Sequence, residues 1–265
     1  MARIIPLWRT PELSIHRFDH PAEHEDQPYE EVAGAFMASF VETGAFDLEV
    51  GGAGWRVGTG DVMLSRPGMR FRASHDGRGF NDVCVSLTYL AAAEDRFDSA
   101  LSWEKSNHAV VRASNRTRYL RRALEAALAD KQPMAAEYCA TEIFREVPDG
   151  APAPLFSDRK FRWYAERVDY ARERMTREFA EPLTASDLAR AVGMSLFHFS
   201  RVFAELTGAP PHQFLLRTRL DAARAMIRGG RSVTETCHAS GFNNLSHFTR
   251  SFARRFGAPP SRLSA

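Results

Sequence analysis

Arg201 and Arg250 occupy the fourth position of two matching segments, HFSRVFAELTGAPP from His198 and HFTRSFARRFGAPP from His247. The segments begin 49 residues apart and agree at nine of fourteen positions. A guanidinium is planar and permanently charged, and its fork of donors matches the O6 and N7 acceptors of guanine or two phosphate oxygens. Around each arginine the same helper types recur. Phe197, Ser200 and Ala204 accompany Arg201; Leu245, Ser246, Thr249 and Ala253 accompany Arg250. An apolar residue suits a thymine methyl, a small hydroxyl suits a base edge, and an alanine permits close approach. Together they are the chemistry for reading a major groove.

The elements that must carry these side chains are legible on either side of them. LTASDLARAVGMSLFHFSRVFAELTG reads as a short helix, a turn at Gly193 and a second helix from about Ser195. Leu188, Ala189 and Val192 form the inner face of the first helix. Phe199, Val202, Phe203 and Leu206 form that of the second, at the i, i+3, i+4, i+7 spacing of a buried stripe. SVTETCHASGFNNLSHFTRSFARRFG repeats the plan, with Val233, Cys237 and Ala239 inside, Gly241 at the turn, and Phe248, Phe252 and Phe256 as the stripe. Two short helices joined by a glycine-containing turn make a helix-turn-helix, spanning residues 184–206 and 232–256. Between them PPHQFLLRTRLDAARAMIRGG predicts a helix of about 18 residues, roughly 27 Å long, with Leu215, Leu216, Leu220, Ala223 and Ile227 on its apolar stripe. Such a rod suits two recognition helices about one duplex turn, roughly 34 Å, apart.

Charge is divided along the chain. The net charge of +2 combines +8 from Asp158 onward with −6 before it, and of the 18 cations in the later part only Lys160 is a lysine. Arginine in that proportion fits recognition of phosphate and guanine better than general solubilisation.

The segment from Tyr164 to Ala265 resembles the DNA-binding domain of the AraC/XylS transcription regulators. The likeness is carried by DLARAVGMSLFHFSRVFAELTGAPPHQF, RLDAARAMI and ASGFNNLSHFTRSFARRFGAPPSR. It implies base contacts from Phe197, Ser200, Arg201, Leu245, Ser246, Thr249 and Arg250. Candidate backbone contacts are Ser195, Arg217, Arg231, Asn244, Arg254 and Arg255. Two departures stand out. Ser200 is short where longer amides are frequent, and Cys237-His238 replaces the usual Ile-Ala pair, which puts the packing of the second motif's core in question.

The N-terminal part has another period. Short β-rich runs, Phe36–Val41, Phe46–Val50, Trp55–Val57, Val62–Leu64, Phe71–Ala73 and Val83–Tyr89, are punctuated by Gly, Asn and Asp, as in an antiparallel barrel or sandwich. Two helical stripes follow, Leu120, Ala123, Leu124, Ala127 and Leu128, then Ala135, Tyr138, Cys139, Ile143 and Val147, separated at Gln132–Pro133. The resemblance extends more weakly here, through GWRVGTGDVMLSRPG and the helical hairpin, to the family's cupin-like sensor domain.

The expected chain is therefore α+β. Residues 1–147 form a cupin-like antiparallel β-barrel plus helical hairpin, for effector sensing and dimerisation. Residues 148–158 form a linker, and 159–265 an all-α unit with two helix-turn-helix motifs. The barrel interior draws on Phe36, Phe40, Phe46, Trp55, Met63, Phe71 and Cys84, with Phe40, Trp55, Phe71 and His75 as candidate effector-pocket residues.

The function expected is a sequence-specific, small-molecule-responsive transcription regulator, with double-stranded DNA, a small effector and a second copy of the chain as partners. An activator would add RNA polymerase. No enzyme, cofactor or metal is expected: there is no His-x-His, phosphate-binding glycine loop, G-x-S-x-G elbow or paired-carboxylate motif. His16, His20 and His24 are four apart, but Pro21 breaks the helix that would align them. A metal-dependent cupin enzyme and a constitutive DNA-binding protein whose barrel only dimerises are the alternatives. Three widely spaced cysteines, Cys84, Cys139 and Cys237, read as reduced buried thiols. The absence of a secretory or membrane-spanning run predicts a cytoplasmic protein with no membrane partner.

Overall fold

The structure, a computed structural model, describes residues 3–20, 30–74, 82–90, 109–146 and 154–263. The chain divides into two compact units, residues 1–155 and 156–265.

Among the described residues of the first unit, ten antiparallel strands form two sheets. The larger has the order β1 (Arg3–Arg9), β2 (Leu13–Asp19), β9 (Val83–Tyr89), β4 (Met37–Thr43), β7 (Val62–Ser65), β10 (Val110–Val111). The smaller runs β3 (Glu30–Val32), β8 (Arg70–Ser74), β5 (Ala45–Val50), β6 (Ala53–Gly58). Among the described residues the strands do not close into a single barrel; they make two sheets that share a core.

Alternation along each strand decides what lies in that core. Val41, Met63 and Cys84 of the larger sheet join Phe46, Leu48, Val57 and Phe71 of the smaller in one apolar cluster. Their sequence neighbours Phe40, Val62, Leu64 and Val85 face the opposite way. There they pack on the hairpin α1 (Asn115–Ala129) and α2 (Pro133–Phe144), through Leu120, Leu124, Cys139, Ile143 and Phe144. The inner strands of the larger sheet are thus buried on both faces.

Polar clasps hold the corners. Asp61, in the GTGD turn, accepts from Gly58 N at 3.1 Å, Ala113 N at 2.8 Å and the Arg112 guanidinium at 2.8 Å. Arg116 at the start of α1 pairs with Glu142 at 2.8 Å and with Glu146, joining the two ends of the hairpin. Tyr138, expected on the buried stripe of α2, is instead exposed, and Val147 lies outside the described residues.

All three cysteines are buried. Burial first, and then the Asp82 carboxylate 3.5 Å from Sγ, push the Cys84 thiol up; burial also raises Cys237. Since the thiolate is the reactive species, the folded protein is expected to react negligibly with a chromogenic disulfide reagent at pH 8, and fully once denatured. One rapidly reacting thiol per folded chain would contradict this burial.

The second unit is helical: α3 (Asp158–Arg177), α4 (Ala185–Ala191), α5 (Leu196–Thr207), α6 (Pro211–Arg228), α7 (Val233–Ala239) and α8 (Leu245–Phe256), then a short 3-10 turn at Pro260–Leu263. Among the described residues no helix is long and apolar enough to cross a membrane.

Candidate nucleic-acid interface

Local chemistry starts the four helices of the two motifs where the sequence requires it. The Thr184 hydroxyl accepts from Asp187 N at 3.1 Å and donates to its Oδ2 at 2.5 Å, holding that carboxyl below the usual carboxylate range. Ser232 and Glu235 repeat the arrangement at α7, with the same effect on Glu235. Ser195 caps α5 by accepting from His198 N at 3.3 Å, and Asn244 caps α8 through Oδ1, 2.9 Å from His247 N. A Ser or Asn at this position satisfies an amide that the helix itself cannot.

The repeated aromatics are core. Phe199 and Phe203 are fully buried with ring centroids 5.5 Å apart, and Phe248 and Phe252 are fully buried at 5.6 Å. The second motif closes around Leu220, Ala223, Ile227, Cys237, Phe242, Phe248 and Phe252. Cys237, the departure noted in the sequence, fills its position with no exposure.

With one stripe committed inward, the other is left outside. Phe197 is 80% exposed, and Leu245, Ser246, Arg201 and Arg250 are exposed, with Ser200 and Thr249 half-buried beside them. Among the described residues nothing accepts a hydrogen bond from Arg201, Arg217 or Arg254, all exposed. Arg250 makes one long contact, 3.4 Å, to Ser246 O of its own helix, and Arg231 leans on Met226 Sδ at 3.5 Å. The capping oxygens of Ser195 and Asn244 are occupied, leaving the Ser195 hydroxyl proton and the Asn244 amide group as outward donors.

Arg255, a candidate backbone contact, forks onto Asp221 of α6, with Nε–Oδ1 at 3.0 Å and a second nitrogen 2.6 Å from Oδ2. The reason is helical phase. Arg255 follows Phe248 by seven residues, which turns it toward the flank of the buried stripe, and it lies 5.5 Å from the Phe256 ring centroid. It is therefore a strap between α8 and α6.

The effector-pocket candidates lie in different parts of the first unit where they are described. Phe40 faces the helical hairpin, Phe71 faces the layer between the sheets, Trp55 is half-buried at the edge of that layer, and His75 lies outside the described residues. Of the possible metal histidines, His20 pairs with Asp82 at 3.1 Å and His24 is outside the described residues. Among the described residues no three His, Cys, Asp or Glu side chains come together to hold a metal.

Several contacts that fix the interface had no signal in the sequence. From α3, Arg167 donates to Val192 O at the end of α4 at 3.2 Å, and Tyr164 hydrogen-bonds His198 of α5 at 2.9 Å. From α6, Arg219 donates to Phe179 O at 2.7 Å and Glu181 O at 2.8 Å. Burial alone pulls this guanidinium below its ordinary value, the opposite of what an anionic partner would do. The turn at Gly241, φ 79°, rests on Ala180 of the same loop. Between these supports lies a groove of about 750 Å³ lined from both motifs, with Thr184, Leu188, Leu215, Asn244, His247 and Arg250 among its walls.

Two capped helix pairs, each presenting an arginine-bearing second helix, define a double helix-turn-helix DNA-binding unit. Residues 188–265 match the family described as a helix-turn-helix domain, so the C-terminal unit carries a helix-turn-helix domain. No curated protein is significantly similar to the chain. Among solved structures, a probable AraC family transcriptional regulator from Rhodopseudomonas palustris CGA009 is 28% identical over 37% of this chain and 94% of its own, with a TM-score of 0.36. The DNA-binding domain of AdpA, a global transcriptional factor, in complex with a target DNA, is 29% identical over 38% of this chain and 88% of its own, TM-score 0.34. Unsaturated-fatty-acid-bound ToxT from Vibrio cholerae strain SCE256 is 10% identical over 96% of this chain and 95% of its own, TM-score 0.37.

Proposed function

We propose that the protein is a sequence-specific transcription regulator that inserts α5 and α8 into successive major grooves of one duplex. The observation that carries this reading is the split within each repeat: phenylalanines that match between copies are core, while Arg201 and Arg250 stand exposed on the opposite face. Phe197, Ser200, Arg201, Leu245, Ser246, Thr249 and Arg250 read bases. Ser195, Arg217, Arg231, Asn244, Arg254 and Arg255 hold the backbone.

The test is binding by the full chain to a site selected from random duplexes. Arg250→Ala is expected to cost about 1–3 kcal/mol on that site and little on unrelated DNA, whereas Arg217→Ala should weaken both alike. Affinity should fall steeply between roughly 50 and 200 mM salt as counterions are released. A salt-independent affinity, or equal losses on all sequences for Arg250→Ala, would remove the base-reading assignment.

For the first unit the reading is a small-molecule sensor that also pairs two copies, in line with the cupin-like resemblance. Met134 and Tyr138, one turn apart on α2, leave an exposed apolar patch that supports pairing through the hairpin. A thermal-shift screen tests the sensor, because a ligand of the folded state raises apparent stability; sedimentation tests the pairing. An activating outcome would make RNA polymerase a further partner.

A further inference from the structure

We infer that Arg219 and Gly241 form a positioning clasp that fixes the offset between the two recognition helices, and so the spacing of the two half-sites the protein accepts. The inference rests on the two-groove reading above. The rod α6 leaves the first motif through the short junction Gly208–Pro210, and near its start Phe214 packs on Phe203 with ring centroids 5.5 Å apart. A single anchor leaves a rod free to pivot. Arg219 supplies a second one, five residues and so roughly 7.5 Å further along the axis, by forking across Phe179 O and Glu181 O.

Two anchors fix the direction of the rod, and the third contact fixes the second motif that follows it. Gly241 lies so close to Ala180, the residue between those two carbonyls, that a Cβ there would be 2.8 Å from Ala180 O and 3.0 Å from Arg219 Nε. Loop 179–181, which leads from α3 into the first motif, is therefore gripped by α6 and by the turn of the second motif at once. The consequence at the DNA is geometric. A pivot of about 10° at the base of a rod roughly 27 Å long moves its far end by about 5 Å, more than one base-pair step. Without the clasp, each recognition helix still fits its own groove, but the pair no longer demands one separation.

The experiment uses the full chain and the bipartite site selected from random duplexes. Affinity is measured for that site, for versions with one or two base pairs inserted between the half-sites, and for a version with one half-site randomised. The wild type is expected to bind the inserted sites at least tenfold more weakly. Arg219→Met, which keeps the aliphatic stem and loses the donors, is expected to bind the native site about tenfold more weakly, to lower the penalty for insertion below threefold, and to bind the single half-site as the wild type does. Arg219→Lys, which can reach one carbonyl at a time, should fall between them and also serves if the methionine variant folds poorly. Unchanged spacing discrimination in both variants overturns the clasp and leaves the two-groove reading intact. A wild type indifferent to insertion overturns both.

Discussion

Gly241→Ala is expected to unfold the second helix-turn-helix motif, while Gly193→Ala at the equivalent turn of the first is tolerated. Both glycines have positive φ, 79° and 67°, where an L side chain costs about 1–2 kcal/mol. On conformation alone the two substitutions are equal. Their surroundings differ. A Cβ at Gly193 would have nothing within 4 Å, whereas one at Gly241 would meet Ala180 O at 2.8 Å and Ala180 Cα at 3.0 Å, both backbone atoms. Backbone cannot swing aside as a side-chain tip can, so the overlap adds about 1–3 kcal/mol of strain. Denaturant melts of the full chain followed by helical circular dichroism should therefore separate the variants by about 1–3 kcal/mol in the C-terminal transition. Equal losses in the two variants would mean that the second turn does not rest on Ala180.

The same pair of turns shows where sequence is informative. Each glycine was readable as a turn from its own neighbours, because helix-turn-helix geometry is local. The contact of Gly241 with Ala180 and the bonds of Arg219 to loop 179–181 join residues far apart in the chain, and nothing local marks them. Arg254 and Arg255 are alike in type and both exposed; only helical phase and the presence of Asp221 on α6 make the second of them a strap. In the first unit, the strand runs from β4 to β9 were legible, yet the faces of β4 and β7 were not. The inner strands of the larger sheet are covered on both sides, so Ser39–Phe40–Val41 offers no polar face to orient the strand. Phe40, a candidate for the barrel interior by sequence, lies one face away from it. The edge strand β1, RIIPLWR, carries a proline and is mostly exposed, and β10 has two residues, so neither shows an alternation to detect.

Phe199→Ala and Phe197→Ala, two residues apart on α5, are expected to fail in opposite ways. Phe199 is 0% exposed and stacks within the first motif, so its truncation leaves a cavity and costs about 3–5 kcal/mol of stability. The loss of DNA binding that follows is indirect, and should be recovered in part by a stabilising osmolyte, which favours the folded population. Phe197 is 80% exposed, so its truncation should change stability by no more than about 0.5 kcal/mol. If its ring faces a thymine methyl in the groove, affinity for the selected site should nonetheless fall by about 1–3 kcal/mol, with no recovery by osmolyte, and the preference for thymine at one position should weaken. Because the two side chains share type, helix and motif, the comparison isolates the direction in which each points. A destabilised Phe197→Ala, or one with undiminished sequence preference, would mean that the outward stripe of α5 is not the surface that meets DNA.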